Sequence, residues 1–515
     1  MVSERLADAL ASLKALQDAG QRVIRSADLS RLHRERLVRA GYLQEVLKGW
    51  YLPARPEAGE PLDGSTAAWY AGMRDFVVGY CSARFGEQWH LAPEQSLQLR
   101  GGECTLPRQL QVWATAGNNQ LVALPHGCSL FVYRARTLLP AVPDPDNQGI
   151  RLVNLVQGLV AVPASFYSQQ PLAARVVLGM LDDESALLRS LLQGGHSVVA
   201  GRLVGALRAV GRSGMAERIV AAMQGAGYVV QAMSPFESQP AALASRPESP
   251  YVQRLRLSWA AMRETVVAAF PAPSAGGPQG SALLEEIDAR HVADAYHSLS
   301  IEGYRVTVGL IDKVRRGQWQ PDGEDRERRD AMAARGYFDA YSRVRAFVAG
   351  LHEGDAALRA DTLHVALGQW YLALFSPSVQ AGLLQAADLA GWRDTQVFIR
   401  GARHVPPPSA AVRECMPVLF ELIASEPHPA VRAVLGHFLF VFIHPYMDGN
   451  GRLARFLMNA MLVTGGYGWT IIPVQQRQAY MDALEAASSA GDIGPFARFV
   501  AALLQQQSTE PPFAG

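Results

Sequence analysis

The sequence predicts a multidomain, mainly α protein. It reads as a small N-terminal unit of helices and a hairpin, an α/β middle domain, and an all-α C-terminal domain carrying one β-hairpin. Three observations predict this. The chain has 515 residues, room for three or four domains at roughly 100–200 residues each, and its 49% hydrophobic content can fill their cores. Two Pro/Gly/Ser-rich stretches, 234–240 and 271–280, bracket a helix-like run at 251–269 and mark linkers. Strand-like alternation gathers in the middle, at 111–114, 121–124 and 129–133, with several helices expected over 171–225.

Residues 1–55 form the first expected domain. Leu6–Leu16 is amphipathic, Ser26–Leu29 reads as an N-cap and short helix, and Leu29–Ala40 reads as a turn into a basic helix closed by Gly41. Leu43–Leu52 then reads as a hairpin, which completes winged-helix order. The segment holds ten Lys and Arg against six acids, about +4, while the whole chain is +1. Concentrated positive charge marks DNA-binding surfaces. Arg31, Arg34, Arg36 and Arg39 would meet phosphates or base edges, though a protein-interaction module or a solvated basic face fits the same residues. Residues 56–235 form the second expected domain, without a catalytic motif; Tyr70–Ala83 reads as helical, and His90 and His126 read as packing or surface residues. A linker with a helix covers 236–284, and the last domain covers 285–505.

The chemistry concentrates in His444-Pro-Tyr-Met-Asp448-Gly-Asn-Gly-Arg452-Leu-Ala-Arg455. Gly449 and Gly451 free the backbone to turn N–H groups inward as an anion nest. The run from Arg452 to Val463 reads as an apolar helix, so the nest feeds a helix N-terminus that favours phosphate. Arg452 and Arg455, three apart, share a helix face suited to adjacent phosphates. Asp448 is a hard oxygen ligand placed to hold Mg2+ through a triphosphate. His444 ends the apolar run Phe438–Ile443, where a neutral imidazole can take a proton from an attacking hydroxyl. A lone His or a lone Gly-Asn-Gly would be a structural feature; their conjunction is what is specific.

This stretch resembles the signature of Fic-domain proteins, His-x-Phe-x-Asp/Glu-Gly-Asn-Gly-Arg-x-x-Arg, with Tyr446 in place of the usual Phe. The resemblance spans roughly 285–505. It implies transfer of AMP from ATP to a Ser, Thr or Tyr hydroxyl of a target protein. His444 would be the base, Asp448 the Mg2+ ligand, and Gly449, Asn450 and Gly451 the phosphate cradle. Arg452 and Arg455 would bind the β and γ phosphates. The segment 391–408 resembles the family's flap, a hairpin whose edge, at Val397 and Ile399, would dock the target peptide by β-augmentation. Tyr480, in a segment resembling the helix near the adenine pocket, would contact the base or simply pack. Family members pair through helices, so a homodimer is expected on resemblance alone.

Upstream, Ser298-Leu-Ser-Ile-Glu302-Gly303 resembles the Fic inhibitory motif. A glutamate paired with Arg455 would take the place of the γ-phosphate and remove its positive partner. Ser298 and Glu302, four apart, share one face of a helix expected over 291–301, and Gly303 ends it. In some family members this glutamate supports removal of AMP, which leaves the reverse reaction open. More weakly, residues 1–230 resemble antitoxin regulators of abortive-infection systems, a winged helix joined to an α/β domain.

Cys81, Cys104, Cys128 and Cys415 show no Cys-x-x-Cys spacing and fit a reducing compartment. The N-terminus lacks an apolar signal core, and no apolar run reaches about eighteen residues. A cytoplasmic protein without a membrane span is expected. Net charge near zero argues against a protein that wholly coats nucleic acid or a membrane surface. The leading expectation is an autoinhibited protein adenylyltransferase using ATP and Mg2+. The alternative is a DNA-binding regulator whose Fic module senses nucleotide or uses another donor.

Overall fold

The computed structural model describes residues 4–54, 65–182, 184–236, 248–273, 280–318, 325–354 and 357–509. The 55/56 boundary, Arg55 and parts of both predicted linkers lie outside them. By internal packing the chain divides into two units, residues 1–254 with 398–405, and residues 255–397 with 406–515.

The first unit has three cores. In the first, α1 (Glu4–Asp18) and α2 (Arg31–Arg39) pack on a small antiparallel sheet of β1 (Ile24–Arg25), β2 (Leu43–Leu47) and β3 (Trp50–Pro53), in the order β1-β3-β2. Ala9, Leu13, Leu37, Leu43 and Tyr51 meet in its centre. Ser30 caps α2 by accepting from the His33 N–H, satisfying one of the helix's orphan donors. The short helix expected at Ser26–Leu29 is a turn instead. The Asp28 carboxylate accepts from the Arg25 backbone N–H at 2.7 Å, a local bond that competes with helix formation.

The second core lies between α3 (Ser65–Phe85) and a mixed four-stranded sheet, with α4 (Pro93–Arg100) following its first strand. The sheet has the order β4 (Trp89–Leu91), β5 (Gln109–Ala114), β7 (Ser129–Arg134), β6 (Gln120–Ala123). β5 and β7 are parallel, with Val112 opposite Val132. Leu110, Val112, Leu130 and Val132 point inward, as the period-2 pattern requires. β8 (Ala141–Asp144) and β9 (Ile150–Val153) form a separate hairpin. The third core is helical, built by six helices from α5 (Leu155–Ala161) to α10 (Ser213–Gly225).

The second unit is helical throughout its described residues. The helix α11 (Pro250–Ala269) crosses the unit boundary, and α12 (Ser281–Ile301), α13 (Val308–Arg315), α14 (Asp325–His352), α15 (Ala360–Gln380), α16 (Ser409–Ser425), α17 (Pro429–Ile443), α18 (Asn450–Val463), α19 (Arg477–Ala490) and α20 (Gly494–Thr509) follow. At its centre stands α18, where every residue from Arg452 to Val463 is at most 3% exposed. A helix apolar on all sides belongs inside a core. Within it, the Asn459 amide is satisfied by donating to the Thr470 carbonyl and accepting from the Thr470 N–H. The helix α17 starts with Pro429 at its first turn and buries Phe438, Leu439, Phe440 and Ile443. No helix among the described residues is long and apolar enough to cross a membrane.

Candidate active site

Where α17 ends and α18 begins, six residues turn the chain back. His444 closes α17 in the left-handed region at φ 53°, an uncommon conformation for a residue with a side chain. Gly449 precedes α18 at φ 81°, where a glycine is free of Cβ strain. Asn450 is 2% exposed, and its side chain accepts from the Tyr446 N–H at 2.9 Å and donates to the Tyr446 carbonyl at 2.8 Å. It therefore fastens the loop to itself; it is not a phosphate ligand through its amide. Tyr446 is buried and stacks on Tyr371, centroids 4.0 Å apart. It fills the aromatic anchor position in full.

The loop is held from outside by a residue whose role the sequence did not disclose. Arg393, 2% exposed, donates from Nε to the His444 carbonyl, from its backbone N–H to the Pro445 carbonyl, and from Nη1 to the Thr395 carbonyl, each at 2.8 Å. Nη2 reaches the carbonyls of Pro407 and Ile443. The guanidinium thus sits at the carbonyl end of α17, where a cation is favoured, and pins the strained His444. No spacing rule points to a single arginine fifty residues upstream.

The half-buried His444 ring has Nδ1 3.2 Å from the Val441 carbonyl, so Nδ1 carries the proton and Nε2 the lone pair. Burial pulls its pKa down to about 4; the Arg393 charge adds to this, and the Val441 bond opposes it. The imidazole is neutral at pH 7.

The first-turn N–H groups of α18 have no partners within the helix. Two guanidinium groups join them. Arg452, 1% exposed, lies between the rings of Tyr304 and Phe375, at 5.3 and 4.9 Å from their centroids. Its Nε makes no hydrogen bond, and its Nη2 lies 3.3 Å from Asp448 Oδ2 without hydrogen-bond alignment. Arg455, 3% exposed, donates from Nε to Ser298 Oγ at 2.8 Å and from Nη2 to Glu302 Oε1 at 2.7 Å, while its Nη1 has no partner. Buried cations with free donors next to a helix N-terminus make an anion site.

Glu302 fills that site. It is the C-cap of α12, and Gly303 follows at φ 88°. A methyl group placed on Gly451 would collide with Glu302 Oε1. The carboxylate therefore lies against the glycine loop itself. The helix begins at Ser281, ten residues before the expected start, and Ser298 is 2% exposed. Below Ser298, Asp294 accepts from the Tyr337 hydroxyl at 2.7 Å. Burial pushes the Asp294 carboxyl up to about 6, against the pull of the Tyr337 bond and the Arg455 charge. Tyr337 and Asp294 share no motif with the rest.

Asp448 faces outward, 63% exposed. Among the described residues no cluster of three or more His, Cys, Asp or Glu could hold a metal ion. One exposed carboxylate beside an anion site fits Mg2+ bound jointly with phosphate oxygens.

Three expectations need correction. Tyr480 is 1% exposed, and its hydroxyl meets His437 Nε2 at 2.8 Å. It packs in the core beneath Arg455, so its face is not available to a base. The hairpin expected over 391–408 is not formed. Residues 398–405 belong to the first unit, where the Val405 N–H donates to the Cys104 carbonyl, Leu106 donates to Arg403, and Thr105 bridges His404. Pro406, Pro407 and Pro408 have no N–H to build a returning strand, so Val397 and Ile399 do not sit on a docking edge. In the first unit, Arg34 is tied to the Ser26 carbonyl and Arg36 to the Arg5 carbonyl. Arg31 is exposed but paired with Glu35 at 2.7 Å, and Arg39 is exposed.

Residues 362–462 match the Fic/DOC family. This stretch is similar to Fic domains. Relatives named Protein adenylyltransferase Fic share it. The one from Drosophila grimshawi is 32% identical over 210 residues, 40% of this chain and 40% of that protein. That from Drosophila mojavensis is 30% identical over 282 residues, 53% of this chain and 51% of that protein. That from Nematostella vectensis is 44% identical over 114 residues, 21% of this chain and 26% of that protein. The chain thus spans about half or less of the curated relatives it matches. The solved structure of Fic-1 (aa134 - 508) from C. elegans aligns at 19% identity and TM-score 0.38, covering 68% of this chain and 89% of that one.

Proposed function

We propose that this protein transfers AMP from ATP to a hydroxyl side chain of a protein, itself included, and that Glu302 holds the activity low. One observation carries the reading: Arg452 and Arg455 present buried, unpartnered N–H groups at the N-terminus of α18, and a carboxylate from α12 occupies the anion site they make. A carboxylate there stands in for phosphate oxygens.

With Glu302 withdrawn, the α18 N–H groups and the two guanidinium groups would cradle the triphosphate. Asp448 would hold Mg2+ on the phosphates, and that ion would offset charge on the departing pyrophosphate. His444 Nε2 takes the proton of the target hydroxyl as its oxygen attacks the α-phosphorus. The bond to the bridging oxygen breaks and pyrophosphate leaves. Positioning and charge supply most of the rate in such reactions. Because Arg393 fixes the His444 backbone, the lone pair is aimed before substrate arrives. The relatives named adenylyltransferases support the reaction class. In the opposite direction, Glu302 beside the same loop could serve removal of AMP.

The test is an assay with ATP labelled at the α-phosphate, in Mg2+, scoring label on this protein and on lysate proteins. Wild type, Glu302→Gly, and Glu302→Gly with His444→Ala are compared. Strong labelling in the Glu302→Gly variant alone is expected. Labelling that survives His444→Ala would overturn the mechanism.

A second reading concerns the first unit. The outward face of α2 combines Arg31, Leu32, Val38 and Arg39, with Leu32 56% and Val38 40% exposed, beside the β2–β3 hairpin. Basic and apolar groups on one helix suit phosphates and thymine methyls of duplex DNA. Salt-dependent binding of a promoter duplex, weakened by Arg39→Glu, would support this. No shift at moderate salt would leave the unit as an interaction module.

A further inference from the structure

The two arginines of α18 are held in different ways. Arg455 is fixed through its donors, which meet Ser298 and Glu302. Arg452 makes no hydrogen bond from Nε or Nη2, yet it is 1% exposed. What flanks it is aromatic. Its Cζ lies over the Phe375 ring from α15, 4.9 Å from the centroid, and over the Tyr304 ring at 5.3 Å. An arginine side chain has many rotamers to lose, so it keeps one orientation only where something fixes its plane. Aromatic rings attract the face of a guanidinium. They leave its edge N–H groups free for phosphate oxygens. A carboxylate partner would instead occupy those donors.

Each ring is itself secured. Phe375 is buried, and a methyl group placed on Gly449 would collide with it, so it lies against the glycine loop. Tyr304 is half-buried and follows Gly303. Its backbone N–H donates to the Leu299 carbonyl at 3.1 Å, which helps close the C-terminus of α12. Arg329 from α14 lies over the same Tyr304 ring, at 5.6 Å. One turn therefore presents two groups to two arginines: the Glu302 carboxylate to Arg455 and the Tyr304 ring to Arg452. They stand on either side of Gly303, where φ is 88°. A glycine there has the backbone freedom to let the carboxylate swing away while the ring remains.

We propose that Tyr304 is a positioning residue for the nucleotide, holding the Arg452 guanidinium with its N–H edge free for the phosphates beyond the α-phosphate. The inference rests on the nucleotide site that AMP transfer requires at the N-terminus of α18. The same turn then blocks that site through Glu302 and preforms it through Tyr304. Without the ring, the ligand itself must order Arg452, and the ordering is lost from the binding free energy.

The test uses the full chain carrying Glu302→Gly and His444→Ala, titrated calorimetrically with ATP and Mg2+. Adding Tyr304→Ala removes the ring and keeps the backbone bond to Leu299. It should weaken binding at least about fivefold with the stoichiometry unchanged. Tyr304→Phe keeps a π-face and should stay within about twofold of its parent. Tyr304→Leu, which fills similar space without a π-face, should weaken binding at least about threefold. Inorganic triphosphate with Mg2+, which has the phosphates and no base, should show the same order. Thermal melts confirm that each variant is folded. The inference falls if the folded alanine variant binds ATP as tightly as its parent. It also falls if leucine serves as well as phenylalanine, which would make Tyr304 a packing residue, or if the stoichiometry drops while affinity holds. A parent that binds neither ATP nor triphosphate would overturn the nucleotide site itself, and this inference with it.

Discussion

Replacing Glu302 should raise affinity for ATP by an amount the structure sets. The perturbation is local: Glu302 is a C-cap residue with Gly303 behind it, so a glycine there leaves α12 intact. It removes one charge-assisted bond, from Arg455 Nη2 to Oε1 at 2.7 Å. Such bonds contribute about 1.5–3 kcal/mol net. The Glu302 side chain is 29% exposed while Arg455 is 3% exposed, so one partner keeps contact with water and the lower end applies. About 1.4 kcal/mol corresponds to tenfold. ATP with Mg2+ should therefore bind about tenfold more tightly to Glu302→Gly than to wild type. Calorimetric titration in a His444→Ala background measures this without turnover. Glu302→Gln, which keeps the shape and loses the charge, should fall between them. Equal affinities in the folded wild type and Glu302→Gly, within twofold, would refute the idea that this carboxylate competes with phosphate.

Arg393→Lys, in the Glu302→Gly background, should lower kcat about 100-fold with little change in the KM for ATP, because a shift of about 1 Å in His444 is enough; equal losses in both would make Arg393 a nucleotide-site residue instead. Gly451→Ala should destabilise wild type more than Glu302→Gly, since the new methyl meets Glu302 Oε1; a double-mutant melt series should show coupling of at least about 0.5 kcal/mol. Tyr446→Phe should cost under about 1 kcal/mol in a denaturant titration, because the ring that stacks on Tyr371 at 4.0 Å is kept. Stability should fall on acidification from about pH 6.5 toward 4. His291, His437 and His444 are neutral in the fold, with pKa values pulled down to about 4, about 3 and about 4, so the unfolded chain gains three protons there that the native state refuses. Asp294, raised to about 6, works in the opposite direction and cancels one. The net of two protons gives a slope of about 2.7 kcal/mol per pH unit near pH 5, and a flat profile between pH 6.5 and 4.5 would contradict it.

What could be read from the sequence is what lies close together along it. His444 to Arg455 folds on itself: the glycine is where positive φ is needed, the arginines share a face, and α18 starts within two residues of expectation. Ser298 to Gly303 was legible for the same reason, since one helix turn brings Ser298 and Glu302 to the same side. That Glu302 would reach Arg455, 153 residues away, came only through resemblance, because no local rule states which helix packs on which. The long-range supports were invisible. Arg393 carries no pattern, and Tyr304 and Phe375, whose rings enclose Arg452, look like any other aromatic residues in a helical protein. The flap failed for a related reason. Alternation at 395–399 is a period-2 pattern, but a strand needs a partner, and backbone groups of residues 403 and 405 are paired with 104 and 106. Ser26–Leu29 failed on a shorter scale, where one aspartate bonding to a backbone N–H three residues back outweighed a cap pattern.

The same contrast bears on how the brake could be released. Arg455 is bonded three times to α12, once through Glu302 and twice through Ser298, by its hydroxyl and its carbonyl, and Ser298 is buried over the Asp294–Tyr337 pair. Removing Glu302 alone leaves the Ser298 bonds, so Arg455 keeps its orientation and can turn its freed N–H to phosphate. Displacing the whole of α12 would strip all three bonds and leave a buried guanidinium without either partner, which costs several kcal/mol. Release by a small movement at the C-terminal turn of α12, where Gly303 gives the backbone freedom, is therefore favoured over dissociation of the helix. Hydrogen exchange distinguishes the two. On addition of ATP with Mg2+, protection should drop at residues 300–304 and hold at 287–298; loss of protection along all of α12 would point to dissociation.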